Sequence, residues 1–194
     1  MATGLKGVPR VFDPLDLRGR LADLPLPELS VLDMGCGECD SLVSRQVLEL
    51  PCAHLTSMDA HAPALERLRG KPCAAARHTS VQREMQAARE LLQSLRPDVT
   101  LLLDALEHLE ASEASALLDQ VERRTGRRVL IWLPLGPCPQ EEYGGNPYQR
   151  HRSTWSAQAL QARGYVVECF PGFHRHFSPP VDAGWAVWRP AGTA

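Results

Sequence analysis

Val31-Leu32-Asp33-Met34-Gly35-Cys36-Gly37-Glu38-Cys39-Asp40 is the stretch that decides the fold. Two apolar residues lead into an acid, then into two glycines one residue apart. A helix-like run from Ser41 to Leu50 follows and stops at Pro51. This order predicts a buried strand, a tight turn and a helix whose N-terminus faces a ligand. Glycine in such a turn lets the backbone take positive φ and lets a bulky ligand lie against it. The free N–H groups of a helix start favour an anionic or polar group.

Glycine spacing separates the cofactor classes. A dinucleotide fingerprint, G-x-G-x-x-G, needs glycine at position 40, where Asp40 stands, and this argues against a nicotinamide oxidoreductase. A P-loop needs a Gly-Lys-Ser/Thr ending, and no such run exists. A strand ending in an acid two residues before G-x-G resembles motif I of the class I S-adenosylmethionine (SAM) dependent methyltransferases. Cys39 departs from the family, which usually carries a third glycine there, and predicts a slightly more open turn.

The resemblance extends along most of the chain. Leu55-Thr56-Ser57-Met58-Asp59 reads as a second strand ending in an acid. Val99 to Leu103 resembles the fourth strand, followed by the D-x-x-E-H-L run Asp104 to Leu109 that many members carry. Arg128 to Pro134 is similar to the fifth strand, and Asn146 to His151, on through Trp155 and Gly164, to the segment before the sixth. Four matches in the right order are stronger than any one.

Composition sets outer limits. At 194 residues the chain suits one compact domain, 1–194, with a short N-terminal extension over 1–28. A net charge of −2 argues against broad binding to nucleic-acid phosphates, leaving a local basic patch around Arg150, Arg152 and Arg163. No apolar run approaches the roughly 20 residues of a membrane helix. The N-terminus, with Lys6, Arg10 and Asp13, lacks a secretory apolar region, so a cytoplasmic location is expected. Cys36 and Cys39 form a C-x-x-C, but no second pair lies at zinc-finger spacing and Cys52, Cys73, Cys138 and Cys169 are scattered. The reading is small or buried thiols, with a redox-sensitive cofactor loop as the rival.

Strands and helices alternate. Asp13-Pro14 suits a short helix start, and Leu24-Pro25-Leu26-Pro27 a linker. Helices are expected from Pro63 to Gly70, over Met85 to Leu95, and over Ala114 to Val121 with Ser112 as cap and Gly126 past the end. Tyr165 to Phe170 and Trp185 to Trp188 suit a closing hairpin. The predicted fold is α/β: a doubly wound, mostly parallel, Rossmann-like sheet with helices on both faces, seven-stranded in the family, ending in an antiparallel hairpin.

In open α/β sheets ligands bind beyond the carboxyl ends of strands where strand order reverses. Asp33, Asp59 and Asp104 fall at such ends, although a carboxylate there can also simply cap the next helix. The resemblance implies that Gly35, Cys36 and Gly37 cradle the methionine part of SAM, with Asp33 near its amino group. It implies further that Asp59 bonds the ribose hydroxyls beside Ala60, and that Asp104 borders the cofactor. The third strand, Arg77 to Arg83, lacks the acid that often bonds the adenine amino group, and Ser80 or Gln82 could substitute.

SAM carries an activated methyl group on a cationic sulfur and leaves as S-adenosylhomocysteine (SAH). The protein must align an acceptor and exclude water. A base is needed only for a hydroxyl or a protonated amine. His108, four residues after Asp104, and His151, in the Gly/Pro-rich segment, are the candidate catalytic residues, and both have a packing alternative. Phe173-His174-Arg175-His176-Phe177 reads as loop surface, and no metal is expected. The 134–155 segment, with Tyr143, Tyr148 and Trp155, reads as a substrate-side loop. The acceptor is expected to be a small molecule, with a protein side chain as the other option and nucleic acid disfavoured. The rival function is a non-catalytic partner subunit that keeps the fold; Cys39 and the absent third-strand acid favour it.

Overall fold

A computed structural model describes residues 13–191. The expectations for the residues before 13 lie outside it. Seven strands form one sheet in the order β3-β2-β1-β4-β5-β7-β6. They span Ser30–Met34 (β1), His54–Asp59 (β2), Arg77–Gln82 (β3), Val99–Leu103 (β4), Arg128–Leu135 (β5), Val166–His174 (β6) and Val181–Trp188 (β7). β1 pairs in parallel with β2 on one side and β4 on the other, and β3 and β5 extend the parallel set. β7 runs antiparallel between β5 and β6 and closes the predicted hairpin. The central strand β4, Val-Thr-Leu-Leu-Leu, is buried along its whole length, as a parallel strand covered on both faces must be.

Side-chain alternation splits the core in two. On one face Val31, Leu55, Leu101 and Trp132 pack with Leu65 and Leu68 of helix α1 (Ala62–Arg69) and with Leu17 and Leu21. On the other, Leu32, Met58, Leu102 and Ile131 pack with three helices: α2 (Arg89–Leu95), α3 (Ala111–Arg124) and α4 (Ala157–Ala162). Helices therefore cover both faces, as the alternating pattern predicts.

Local departures have physical reasons. The run expected to be a helix after the glycine turn is a 3-10 stretch at Ser44–Glu49, with Ser41 and Ser44 exchanging side-chain hydrogen bonds before it. No α-helix N-terminus therefore points from this turn at a ligand. The Met85 to Leu95 run is broken into a 3-10 turn at Met85–Ala87 and α2. Helix α3 is capped by Glu110, not Ser112, because Glu110 and Glu113 form a reciprocal capping box. Asp13 starts a turn by accepting the Leu15 N–H, and the first regular element is a 3-10 turn at Gly19–Leu21.

The described part of the segment read as an extension is integral to the core. Leu17 and Leu21 are fully buried, Pro14 accepts the Trp185 indole N–H at 2.7 Å, and Asp23 binds the buried Arg128 guanidinium bidentately at 2.6 and 2.7 Å. Among the described residues no helix is long and apolar enough to cross a membrane.

Candidate active site

The turn after β1 is tied to the end of β2. Gly35 and Cys36 both donate their N–H to the Met58 carbonyl, at 2.8 and 3.0 Å. Gly37 donates to Asp59 Oδ2 at 2.7 Å, and Asp59 Oδ1 accepts the His61 N–H at 2.7 Å. Asp59 thus joins the glycine turn to the start of α1. Gly35 has φ +72°, and a Cβ there would lie 2.8 Å from the Ala105 Cβ, so glycine is required for both conformation and space. Gly37, at φ +54°, would point a side chain into open space above the turn. Cys39 adopts φ 50° without being glycine; it is buried, and its thiol donates to Asp33 Oδ2 at 3.8 Å.

The cleft beyond the strand ends has two lobes. One, of about 240 Å³, is lined by Asp59, Ala60, Glu84, Met85 and Tyr148 among others. The second, of about 310 Å³, is lined by Cys36, Gly37, Asp40, Ser41, Glu107, Cys138, His151, His174 and His176 among others. Gly35, Asp104, His108 and Gln149 line both lobes and form their common wall. The cleft lies where the chain turns outward from β1 to β2 and returns to β4, the switch point of the sheet.

Electrostatics in the second lobe are set by burial. Glu107 is 2% exposed, its Oε2 has no hydrogen-bond partner, and burial beside Asp104 pushes its carboxyl well up. Burial likewise raises Asp104, whose backbone is held at φ 49° while its N–H donates to the Trp132 carbonyl at 2.8 Å. The His108 and His151 rings meet edge to face with centroids 4.9 Å apart. Burial and the neighbouring His151 lower His108 to about 4, and burial lowers His151. Each ring has Nδ1 on a backbone carbonyl, His108 on Arg150 at 3.2 Å and His151 on Cys138. A carbonyl only accepts, so Nδ1 is the donor in each of these two contacts. One ligating atom from each of Glu107, His108 and His151 lies within 4.8 Å of the others.

The residues picked out in the sequence are distributed unevenly over this cleft. Gly35, Cys36, Gly37, Asp59, Ala60, Asp104, His108 and His151 line it, and the two histidines are neighbours rather than alternatives. Asp33, 1% exposed, lines neither lobe; it sits under the turn, and burial raises its carboxyl to about 7. Ser80 and Gln82 line neither lobe, whereas Glu84, two residues past the end of β3, does. In the sequence Glu84 is marked only as an acid just beyond the end of β3, outside the strand itself.

The 134–155 segment contributes Pro134, Cys138, Gln140, Asn146, Tyr148, Gln149, His151 and Arg152 to the walls. Of its aromatics, only Tyr148 lines the cleft. Tyr143 is 77% exposed, and Trp155 is buried, bridged to Leu135 at the end of β5. The H-x-H is divided: His176 is exposed in the turn after β6, whereas His174 ends β6, lines the second lobe and has a buried, unpartnered Nε2. Acids offset the charge around Arg150, Arg152 and Arg163. Arg150 pairs with Glu141 and Glu142, Arg152 with Glu110, and Arg163 with Asp119 and Glu122. The six cysteines are free, and burial pushes the Cys36 and Cys39 thiols up, away from the reactive thiolate form.

No protein-family model matches the chain, and no curated protein sequence matches it. Solved structures do. The N-terminal domain of EvdMO1 with SAH bound is 17% identical, covers 91% of this chain and 81% of its own, and superposes with a TM-score of 0.62. Magnesium protoporphyrin IX methyltransferase (ChlM) from Synechocystis PCC 6803 with bound SAM is 19% identical over 86% of this chain and 73% of its own, at a TM-score of 0.56. The methyltransferase domain of bacterial CtHen1-CN is 20% identical over 88% of this chain and 94% of its own, at 0.55. The chain has the class I methyltransferase fold. In this chain the glycine turn after β1, the acid ending β2 and the residues following β4 face one cleft.

Proposed function

We propose that the chain is a SAM-dependent methyltransferase that holds the nucleoside end of SAM in the first lobe and its acceptor in the second. The observation that carries this is the common wall. Gly35, Asp104, His108 and Gln149 border both lobes, so a methyl group at their junction is within reach of an acceptor on the other side. Asp59 has one amide on each carboxylate oxygen, which leaves a second lone pair on each for the two ribose hydroxyls. Glu84 supplies an acceptor for the adenine amino group, and Met85 an apolar surface for the ring. The open space above Gly37 receives the methionine portion. Asp33 acts indirectly, setting the turn through Cys39.

When bound, SAM supplies the methyl group and a leaving sulfur that needs no proton. The protein's part is to align the acceptor and exclude water. We assign the acceptor to small molecules. The second lobe is a mixed pocket with more polar than apolar lining, and Arg150 and Arg152 near the cleft are paired with acids rather than turned to a polyanion. The two features that favoured a non-catalytic partner subunit lose their force, since Cys39 takes the conformation a glycine would and Glu84 provides the missing acid.

Isothermal titration calorimetry with SAH tests the cofactor assignment, and methyl transfer from labelled SAM to a panel of hydroxylated small molecules tests the activity. Saturable one-to-one SAH binding is expected. Its absence in folded protein removes the function proposed here.

A further inference from the structure

We propose that Glu107, His108 and His151 form a site for one divalent cation of the manganese-to-zinc group, on the acceptor side of the cleft. The argument starts from donors and acceptors. Each imidazole has its Nδ1 on a backbone carbonyl, that of Arg150 for His108 and that of Cys138 for His151. Glu107 brings a buried Oε2 that nothing in the protein satisfies. Two imidazoles and a carboxyl group, each bringing a ligand atom within 4.8 Å of the others, make an arrangement that a cation completes by displacing the carboxyl proton. Histidine and carboxylate ligands bind such ions at roughly 2.0–2.2 Å, so the three side chains would draw together around it.

The surroundings are those of a metal centre as well. Histidine ligands are ordinarily fixed by a hydrogen bond from their second nitrogen, and the Arg150 and Cys138 carbonyls do this here. The 149–153 segment is itself held in place, because the Glu107 carbonyl accepts the N–H groups of Arg152 (2.8 Å) and Ser153 (3.1 Å). Two nitrogens and one oxygen select borderline ions over magnesium or calcium, which take oxygen ligands. Three protein ligands leave positions open toward the second lobe, where His174 adds another unpartnered nitrogen.

The role of such an ion in transfer rests on the methyltransferase reading; its binding does not. Methylation of a hydroxyl breaks the S–CH₃ bond, forms the O–CH₃ bond, returns the S–C electron pair to sulfur and releases the hydroxyl proton to water. A cation beside that oxygen lowers its pKa and fixes its position, so the acceptor class is one presenting a hydroxyl oxygen.

The test uses chelator-stripped full-length protein titrated with Mn²⁺ and followed by loss of the free-ion electron paramagnetic resonance signal, with Co²⁺ absorption as a second probe. SAH calorimetry is run on the same samples as a check of fold and cofactor site. One Mn²⁺ per chain is expected, and Glu107→Gln and His151→Ala should each weaken it by about a hundredfold or more, since loss of an outer partner alone costs about 10–100-fold. Glu107→Gln keeps the side-chain shape and guards against misfolding of the histidine variant. SAH binding without ion binding, or a Glu107→Gln variant that binds Mn²⁺ as well as the parent, overturns the metal site and leaves the methyltransferase reading standing. Ion binding without SAH binding supports the site and removes the methyltransferase reading instead.

Discussion

The Asp59 carboxylate accepts the Gly37 N–H at 2.7 Å on one oxygen and the His61 N–H at 2.7 Å on the other. One acid at the end of β2 therefore sets the shape of the turn after β1 and the entry to α1, while its outer lone pairs face the first lobe. Under the proposed function, positioning and ligand binding reside in the same side chain. Asp59→Ala should weaken SAH binding by about 1–3 kcal/mol, the scale of hydrogen bonds left unmade at a buried site. Asp59→Asn, which keeps one accepting oxygen, should fall between the two. An unchanged dissociation constant in calorimetry removes Asp59 from the site.

Glu84 is expected to read the adenine amino group. Glu84→Gln should weaken SAH by about 1–2 kcal/mol. S-inosylhomocysteine carries a carbonyl where SAH carries the amine, so it should bind the parent poorly and the Gln variant relatively better. Equal selectivity in parent and variant counts against the assignment.

The two turn glycines should fail differently. Gly35→Ala meets both a φ of +72° and the Ala105 Cβ at 2.8 Å, and should lower the unfolding free energy by roughly 2–5 kcal/mol. Gly37→Ala meets only the φ of +54°, for about 1–2 kcal/mol of stability, but places a methyl group in the open space proposed for the methionine portion. Denaturant titration beside SAH calorimetry separates the two, with Gly37→Ala losing more affinity per unit of stability lost.

Asp33 makes stability depend on pH with an unusual sign. Its carboxyl is raised from 3.8 to about 7 by burial, so the folded protein binds that proton more tightly than the unfolded chain. The stability it contributes is complete below pH 3.8 and declines as pH rises through about 7. Asp33→Asn keeps an oxygen to accept the Cys39 thiol and cannot ionise. Parent and variant should melt alike near pH 4, and the variant should gain progressively up to about 4 kcal/mol by pH 8. A difference independent of pH refutes this.

The opposite sign holds at Asp23, whose bond to the Arg128 guanidinium lowers it to about 2 from 3.8. Its contribution is present above pH 3.8 and is lost as pH falls through about 2. Because Asp23 is largely exposed, the effect should be small, and Asp23→Asn should flatten that part of the acid-stability profile.

Local chemistry wrote much of this molecule into its sequence. The apolar runs at Val31–Leu32 and Val99–Leu103, the glycines at 35 and 37, and acids at strand ends specify a doubly wound sheet and its ligand edge, since each depends on neighbours within a few residues. What needed the tertiary structure depends on contacts between distant segments. Burial of Leu17 and Leu21, with the Asp23–Arg128 pair, turns an apparent extension into core. Glu84 became visible as a wall residue only when β3 was set beside β2 and the loop carrying Tyr148 folded over it. Above all, the meeting of Glu107, His108 and His151 depends on the Glu107 carbonyl holding the 152–153 backbone and on two carbonyls fixing the histidine rings. Spacing along a chain carries information about periodicity and turns, but which lone pairs face one another across a cleft is decided when the sheet closes and desolvates them.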